Sequence, residues 1–96
     1  MAYSEEIKKK VWSKGQIVFG YDSDKFRKDE CGAWMIYEQY GKSRSSIFEW
    51  EIDHINPDGG DEISNLRPLQ WQNNLEKSDG RLKCKVTSSG NQNIEI

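Results

Sequence analysis

Phe48, Trp50 and Ile52 alternate strictly with Glu49, Glu51 and Asp53. That period of two predicts a strand with one face on a core and the other turned outward. All three acids are then expected to point the same way, with Asp53 last on the outward face. The next residues, Asn56-Pro57-Asp58-Gly59-Gly60-Asp61, are dense in turn formers and carry a proline that cannot donate to a sheet, so they must form a loop. Ile63, Leu66 and Leu69 can return the chain as a short second strand or an extended stretch. From Trp71 to Ser78 there is neither glycine nor proline, and Trp71 and Leu75 stand four apart. This predicts a short helix that Gly80 stops. The order is strand, loop, short strand, helix.

Toward the N-terminus, Ser4 precedes Glu5 and Glu6, Ile7 and Val11 are four apart, and Lys8, Lys9, Lys10 and Lys14 crowd the far end. A capped helix matched to its own dipole is predicted, ended by Gly15. Residues 16–32 carry less pattern: Ile17-Val18-Phe19 suits a brief strand, and Asp22 or Ser23 can cap a helical turn carrying Phe26. Ala33 to Tyr37 is β-prone and runs into Gly41 and a Ser-rich loop through Ser46. Beyond Arg81, Leu82, Cys84 and Val86 alternate with Lys83 and Lys85, which predicts a last edge strand before a polar tail over Ser88 to Asn93.

These elements define an α+β chain. Its 96 residues, 34% of them hydrophobic, suffice for one compact domain with a modest core and not for two. The expected division is a helical extension over 1–32, a ββα core over 33–80, and a strand with a polar tail over 81–96. Four Trp, four Tyr and three Phe are the obvious core material where aliphatics are few. Trp12, Trp34, Trp50 and Trp71 are therefore assigned to packing rather than to base stacking.

The longest apolar run, Ala33 to Tyr37, is far short of a membrane span. A soluble, unexported, cytoplasmic protein with no membrane partner is expected. Cys31 and Cys84 stand alone, outside any CxxC pair, so reduced thiols are expected rather than a disulfide framework or a cysteine zinc site. A net charge of -2 and a pI near 5.4 exclude strong whole-surface attraction to nucleic acid, so any polyanion contact must be local. Lys77, Arg81, Lys83 and Lys85 against Asp79 form the best local excess of positive charge. Lys8 to Lys10 and Lys14 read as a solvated helix face.

Residues 51–79, Glu51-Ile-Asp-His-Ile-Asn-Pro-Asp-Gly-Gly-Asp-Glu-Ile-Ser-Asn-Leu-Arg-Pro-Leu-Gln-Trp-Gln-Asn-Asn-Leu-Glu-Lys-Ser-Asp79, resemble the HNH nuclease motif in its Asp-His, Asn-Leu, Asn-x-x-Lys version. The resemblance implies a ββα-metal core and hydrolysis of phosphodiester bonds in nucleic acid, DNA being the expected substrate. It makes His54 the general base, Asn65 a brace for the loop near that histidine, and Asn74 an amide-oxygen ligand to one divalent ion. Many members of the family carry flanking CxxC pairs that bind structural zinc; this chain has none. Its fold is expected to rest on its core alone.

Elementary chemistry reaches the same residues. Phosphodiester hydrolysis needs an activated water, a Lewis acid near the phosphate and a rigid frame for both. Asp53 can hold a hard divalent cation, which prefers oxygen ligands. His54 is the only histidine, and imidazole accepts a proton near neutral pH. Two firm ligands, Asp53 and Asn74, suit magnesium, with manganese, nickel or zinc as alternatives. Glu51 is a secondary ligand or an exposed edge charge. Lys77, three residues beyond Asn74, offers charge to a phosphate or is a solvated helix-end lysine. Asn73 is the neighbour that a one-residue slip would exchange for Asn74. Asp58 to Glu62 lacks the alternating ligands of a calcium loop and reads as a connection. Nothing resembles a helix-turn-helix or zinc finger. The alternative function is a non-catalytic nucleic-acid or protein-binding module retaining the HNH fold; a homodimer or larger assembly is compatible with either.

Overall fold

The computed structural model describes residues 3–75 and 81–96. The Ser4 side chain accepts from the Ile7 amide at 3.2 Å and starts α1 (Glu5–Trp12), which has Glu5 and Glu6 in its first turn and Lys9 and Lys10 in its last. The helix ends at Trp12, and Gly15 lies in the turn that follows. Asp22 and its neighbours then make one turn, and Phe26 enters β1 (Phe26–Lys28), antiparallel to β2 (Trp34–Ile36). β3 (Trp50–His54) and β4 (Leu66–Gln70) form a second antiparallel pair, and α2 (Trp71–Leu75) follows directly. β5 (Val86–Ser89) and β6 (Gln92–Glu95) form the third. Two helices and short antiparallel strand pairs thus make a small compact α+β domain. No described helix is long and apolar enough to cross a membrane.

Val11 and Trp12 of α1 pack on Met35, Trp50 and Leu66, with Tyr37, Tyr40 and Ile52 around them. The rings of Trp12 and Trp50 lie 5.1 Å apart, and that of Tyr40 lies 4.9 Å from Trp50. Aromatic rings fill the core as the composition suggests. Trp34 is buried as well, whereas Trp71 is half-buried with Arg44 over its ring.

Several expectations are corrected. Ile17 to Phe19 form no strand: Tyr21 N turns back onto Val18 O, and the Phe19 side chain is fully exposed. Leu82 to Lys85 form no strand; the strand begins at Val86, and the polar tail is a hairpin rather than a loose end. Gly90 takes the positive φ of 61° that its two-residue turn demands, and Asn93 is buried, bonding the Trp34 amide, the Trp34 carbonyl and the Ile47 carbonyl. Lys14 is not simply solvated, since its Nζ donates to the carbonyls of Ile63 and Leu66 and ties the end of α1 to the start of β4. The three acids do not all face outward either. Glu49 and Asp53 are buried.

Nor are the cysteines free thiols or the core alone in holding the fold. Cys31 and Cys84 form a disulfide across 53 residues. Beside it, the buried Asp29 carboxylate gathers four N–H donors: Cys31 N and Ala33 N on Oδ1, Gln70 N and Asn73 Nδ2 on Oδ2, all at 2.9 Å. Asn73 continues outward, donating to Val86 O and accepting from the Lys85 and Val86 amides. The turn before β2, α2 and β5 are thereby joined through one carboxylate and one amide. Reduction of the disulfide, or Cys84→Ser, is expected to lower unfolding free energy by about 2–4 kcal/mol, because a loop of this length restricts the unfolded chain strongly. Urea melts with and without reductant measure it.

Candidate functional site

Antiparallel pairing sets the faces of the β3–β4 ribbon. Trp50, Ile52 and His54 share one side with Gln70, Pro68 and Leu66; Glu51 and Asp53 share the other with Leu69 and Arg67. Asp53 and His54, adjacent in sequence, therefore leave the strand on opposite faces.

On the first face, His54 Nε2 lies 2.6 Å from Asp61 Oδ1, and Tyr3 Oη donates to the same oxygen at 3.4 Å. The His54 hydrogen bond is the main reason the Asp61 carboxyl lies below its ordinary range, and burial opposes it. The sequence places Asp61 in a connecting loop, and no local pattern marks it as a partner of His54. Its position depends on how the loop closes. Asn65 controls that closure: Oδ1 accepts from Asn56 N at 2.9 Å, while Nδ2 donates to Asn56 O at 3.1 Å and Gly60 O at 2.9 Å. A Cβ at Gly59 would lie 2.7 Å from Asn65 Nδ2, which explains the need for glycine there. Asn65 also receives the Ile55 amide on its backbone carbonyl. It thus braces the loop next to His54.

On the second face, Asp53 Oδ2 accepts from Arg67 Nε at 2.8 Å, and Arg67 reaches Glu30 at 3.0 Å. This pairing answers the burial of Asp53, since a carboxylate leaves water only when a counter-charge or donors replace it. The sequence did not point to Arg67, because only the β3–β4 register puts it opposite Asp53. Glu51 takes Asn74 Nδ2 at 2.8 Å and Arg44 through both carboxylate oxygens, at 3.0 and 3.2 Å. Asn74 therefore comes to the ribbon face that carries Glu51 and Asp53, whereas Asn73 points into the buried Asp29 cluster. Glu51 is accordingly not a solitary edge charge.

The fit of this face to a cation follows from its donors. Among the described residues, no three histidine, cysteine or acidic side chains converge. An ion would depend on carboxylates of Asp53 and Glu51 and on the Asn74 amide, all oxygen ligands, which suits a hard cation and not zinc. A carboxylate has two oxygens and about four acceptor directions, of which Arg67 takes one on Asp53 Oδ2. An amide donating through Nδ2 likewise still has Oδ1 as an acceptor.

Arg81, Lys83 and Lys85 are exposed, and the Lys85 amide is bound to Asn73, the residue before Asn74. Lys77, Asp79 and Gly80 lie outside the described residues. A cleft of about 210 Å³ lined by Lys14, Gln16, Lys28, Glu30, Ile55 and Arg67 opens beside the Asp53–Arg67 pair. Its cations already have partners: Lys14 on two carbonyls, Arg67 on two carboxylates, and Lys28 over the Trp34 ring.

No family model matches the chain, and comparison with curated proteins and with solved structures finds no match either.

Proposed function

We propose that the domain is a metal-dependent endonuclease of the HNH type, hydrolysing phosphodiester bonds in nucleic acid, with DNA as the substrate. The observation that carries this reading is the Asn74–Glu51 contact, which brings the α2 amide onto the ribbon face holding Asp53, with His54 at the same strand end. The order β3, loop, β4, α2 and the bracing by Asn65 support it further as a ββα core.

In this reading, Asp53 and Asn74, assisted by Glu51, hold a divalent cation, magnesium by the chemistry of the donors. A cation held there supplies Lewis acidity to the phosphate and charge to the leaving oxygen. His54, held at Nε2 by Asp61, is the base that takes a proton from water. The water oxygen bonds to phosphorus as the P–O3′ bond breaks, and the 3′ oxygen takes its proton from solvent. The products carry 5′-phosphate and 3′-hydroxyl ends. Arg81, Lys83 and Lys85, together with Lys77, offer the phosphate contacts that an acidic chain must concentrate locally. Assembly with further subunits is part of the proposal, and the disulfide suits an oxidising compartment rather than the cytoplasm expected from the sequence.

Manganese titrated into the ¹⁵N-labelled protein is expected to broaden the signals of Glu51, Asp53 and Asn74 first. Magnesium should then support plasmid nicking, with Asp53→Ala losing both effects and keeping its circular dichroism spectrum. The burial of Asp53 against Arg67 favours a second reading, a binding module that needs no ion. Nucleic-acid binding without broadening or cleavage would decide for that module.

A further inference from the structure

We propose that Asp61 is the positioning residue for His54, fixing which ring nitrogen carries the proton and how the ring is turned. This inference rests on the nuclease reading for its catalytic consequence and on geometry alone for the contact itself. A contact of 2.6 Å between His54 Nε2 and Asp61 Oδ1 is short for an N–H···O bond and selects the tautomer protonated at Nε2. His54 is more than half buried at 35% exposure while Asp61 is 54% exposed, so the ring is confined and its partner approaches from the solvent side.

The loop holds Asp61 in place. Asn65 Nδ2 grips Gly60 O, one residue before Asp61, and Asn56 O, two residues after His54. Gly60 passes so close to Glu62 that a Cβ would lie 2.8 Å from Glu62 Oε2. Tyr3, from the segment before α1, donates to the same Asp61 oxygen. Two separate parts of the chain thus converge on one carboxylate that touches the only histidine.

Because the chain has one histidine, its ring signals need no assignment. In protein labelled with ¹⁵N-histidine, at a pH where the ring is neutral, the expected result is a single Nε2–H tautomer whose proton is protected from exchange with water. Asp61→Ala should lose that protection and give the averaged ring signals of an exposed histidine, with an unchanged amide spectrum elsewhere. Asp61→Asn, which keeps an acceptor oxygen without its charge, should fall between. In the nicking assay Asp61→Ala should lower kcat by about 10²-fold with little change in KM, as a misaligned base does. A wild-type ring protonated at Nδ1, or ring signals identical in Asp61→Ala, would overturn the proposal. A ring that responds as expected in a protein that cleaves nothing upholds the positioning contact and overturns the nuclease reading instead.

Discussion

Asp29→Ala should lose about 3–5 kcal/mol of unfolding free energy, a large share of the roughly 5–15 kcal/mol that a small domain has. The substitution removes one acceptor group and strands several donors at once. Ala33 N and Gln70 N are buried and bond to Asp29, Cys31 N is partly so, and Asn73 Nδ2 would retain only Val86 O. Each buried donor left without a partner costs about 1–3 kcal/mol, reduced where a water can enter. Asp29→Asn should do little better, because either orientation of the amide sets an NH2 group against N–H donors. Burial holds the Asp29 carboxyl above its ordinary range in spite of these donors, among which Asn73 pulls hardest the other way. A raised carboxyl binds its proton more tightly in the folded state. Its contribution is therefore fully present below the unfolded pKa and is lost as pH rises through the folded value. Urea denaturation across that window should show the slope in the wild type and not in Asp29→Ala. Equal stability of the two proteins would mean that the cluster holds nothing together.

The parts of this fold that the sequence announced are those set by neighbours along the chain. Ser4 caps α1 through a bond only three residues long, and the alternation of Trp50 and Ile52 with acids marks β3 without reference to any partner. The turn formers from Asn56 to Asp61 place the loop, and the return through Leu66 and Leu69 places β4. What stayed hidden depends on residues far apart. Nothing near Cys31 identifies Cys84, and Asp29 reads as one more surface acid until the chain brings Gln70 and Asn73 against it. The strand Gln92–Glu95 lacks an apolar rhythm because its one buried position holds an asparagine whose amide bonds three backbone groups.

The candidate site divides in the same way. Asp53, His54, Asn65 and Asn74 stand out through residue type and spacing; Asn65 bonds within the loop after His54, and Asn74 donates to Glu51. The counter-charges do not stand out. Arg67 meets Asp53 only through cross-strand register, Arg44 reaches Glu51 from a loop in which Ser43 and Arg44 both take positive φ, and Asp61 reaches His54 across a closed loop. Outward-facing acids were expected because alternation describes one strand and not what covers it. Packing on both faces makes Asp53 a buried group that needs Arg67.

Substitution of His54, the proposed general base, should have the largest effect on function. A positioned general base contributes about 10²–10⁴-fold to rate, so His54→Ala should lower magnesium-dependent nicking by that factor. The fold should tolerate the change, since the His54 ring is absent from the central cluster of Val11, Trp12, Met35, Trp50 and Leu66. The most direct test is the rate of supercoiled plasmid nicking by wild type and His54→Ala, each purified with its disulfide intact and assayed with and without magnesium. Magnesium-dependent nicking by the wild type is expected to fall at least about 10²-fold in the variant; equal rates in the two proteins would show that His54 is not the base.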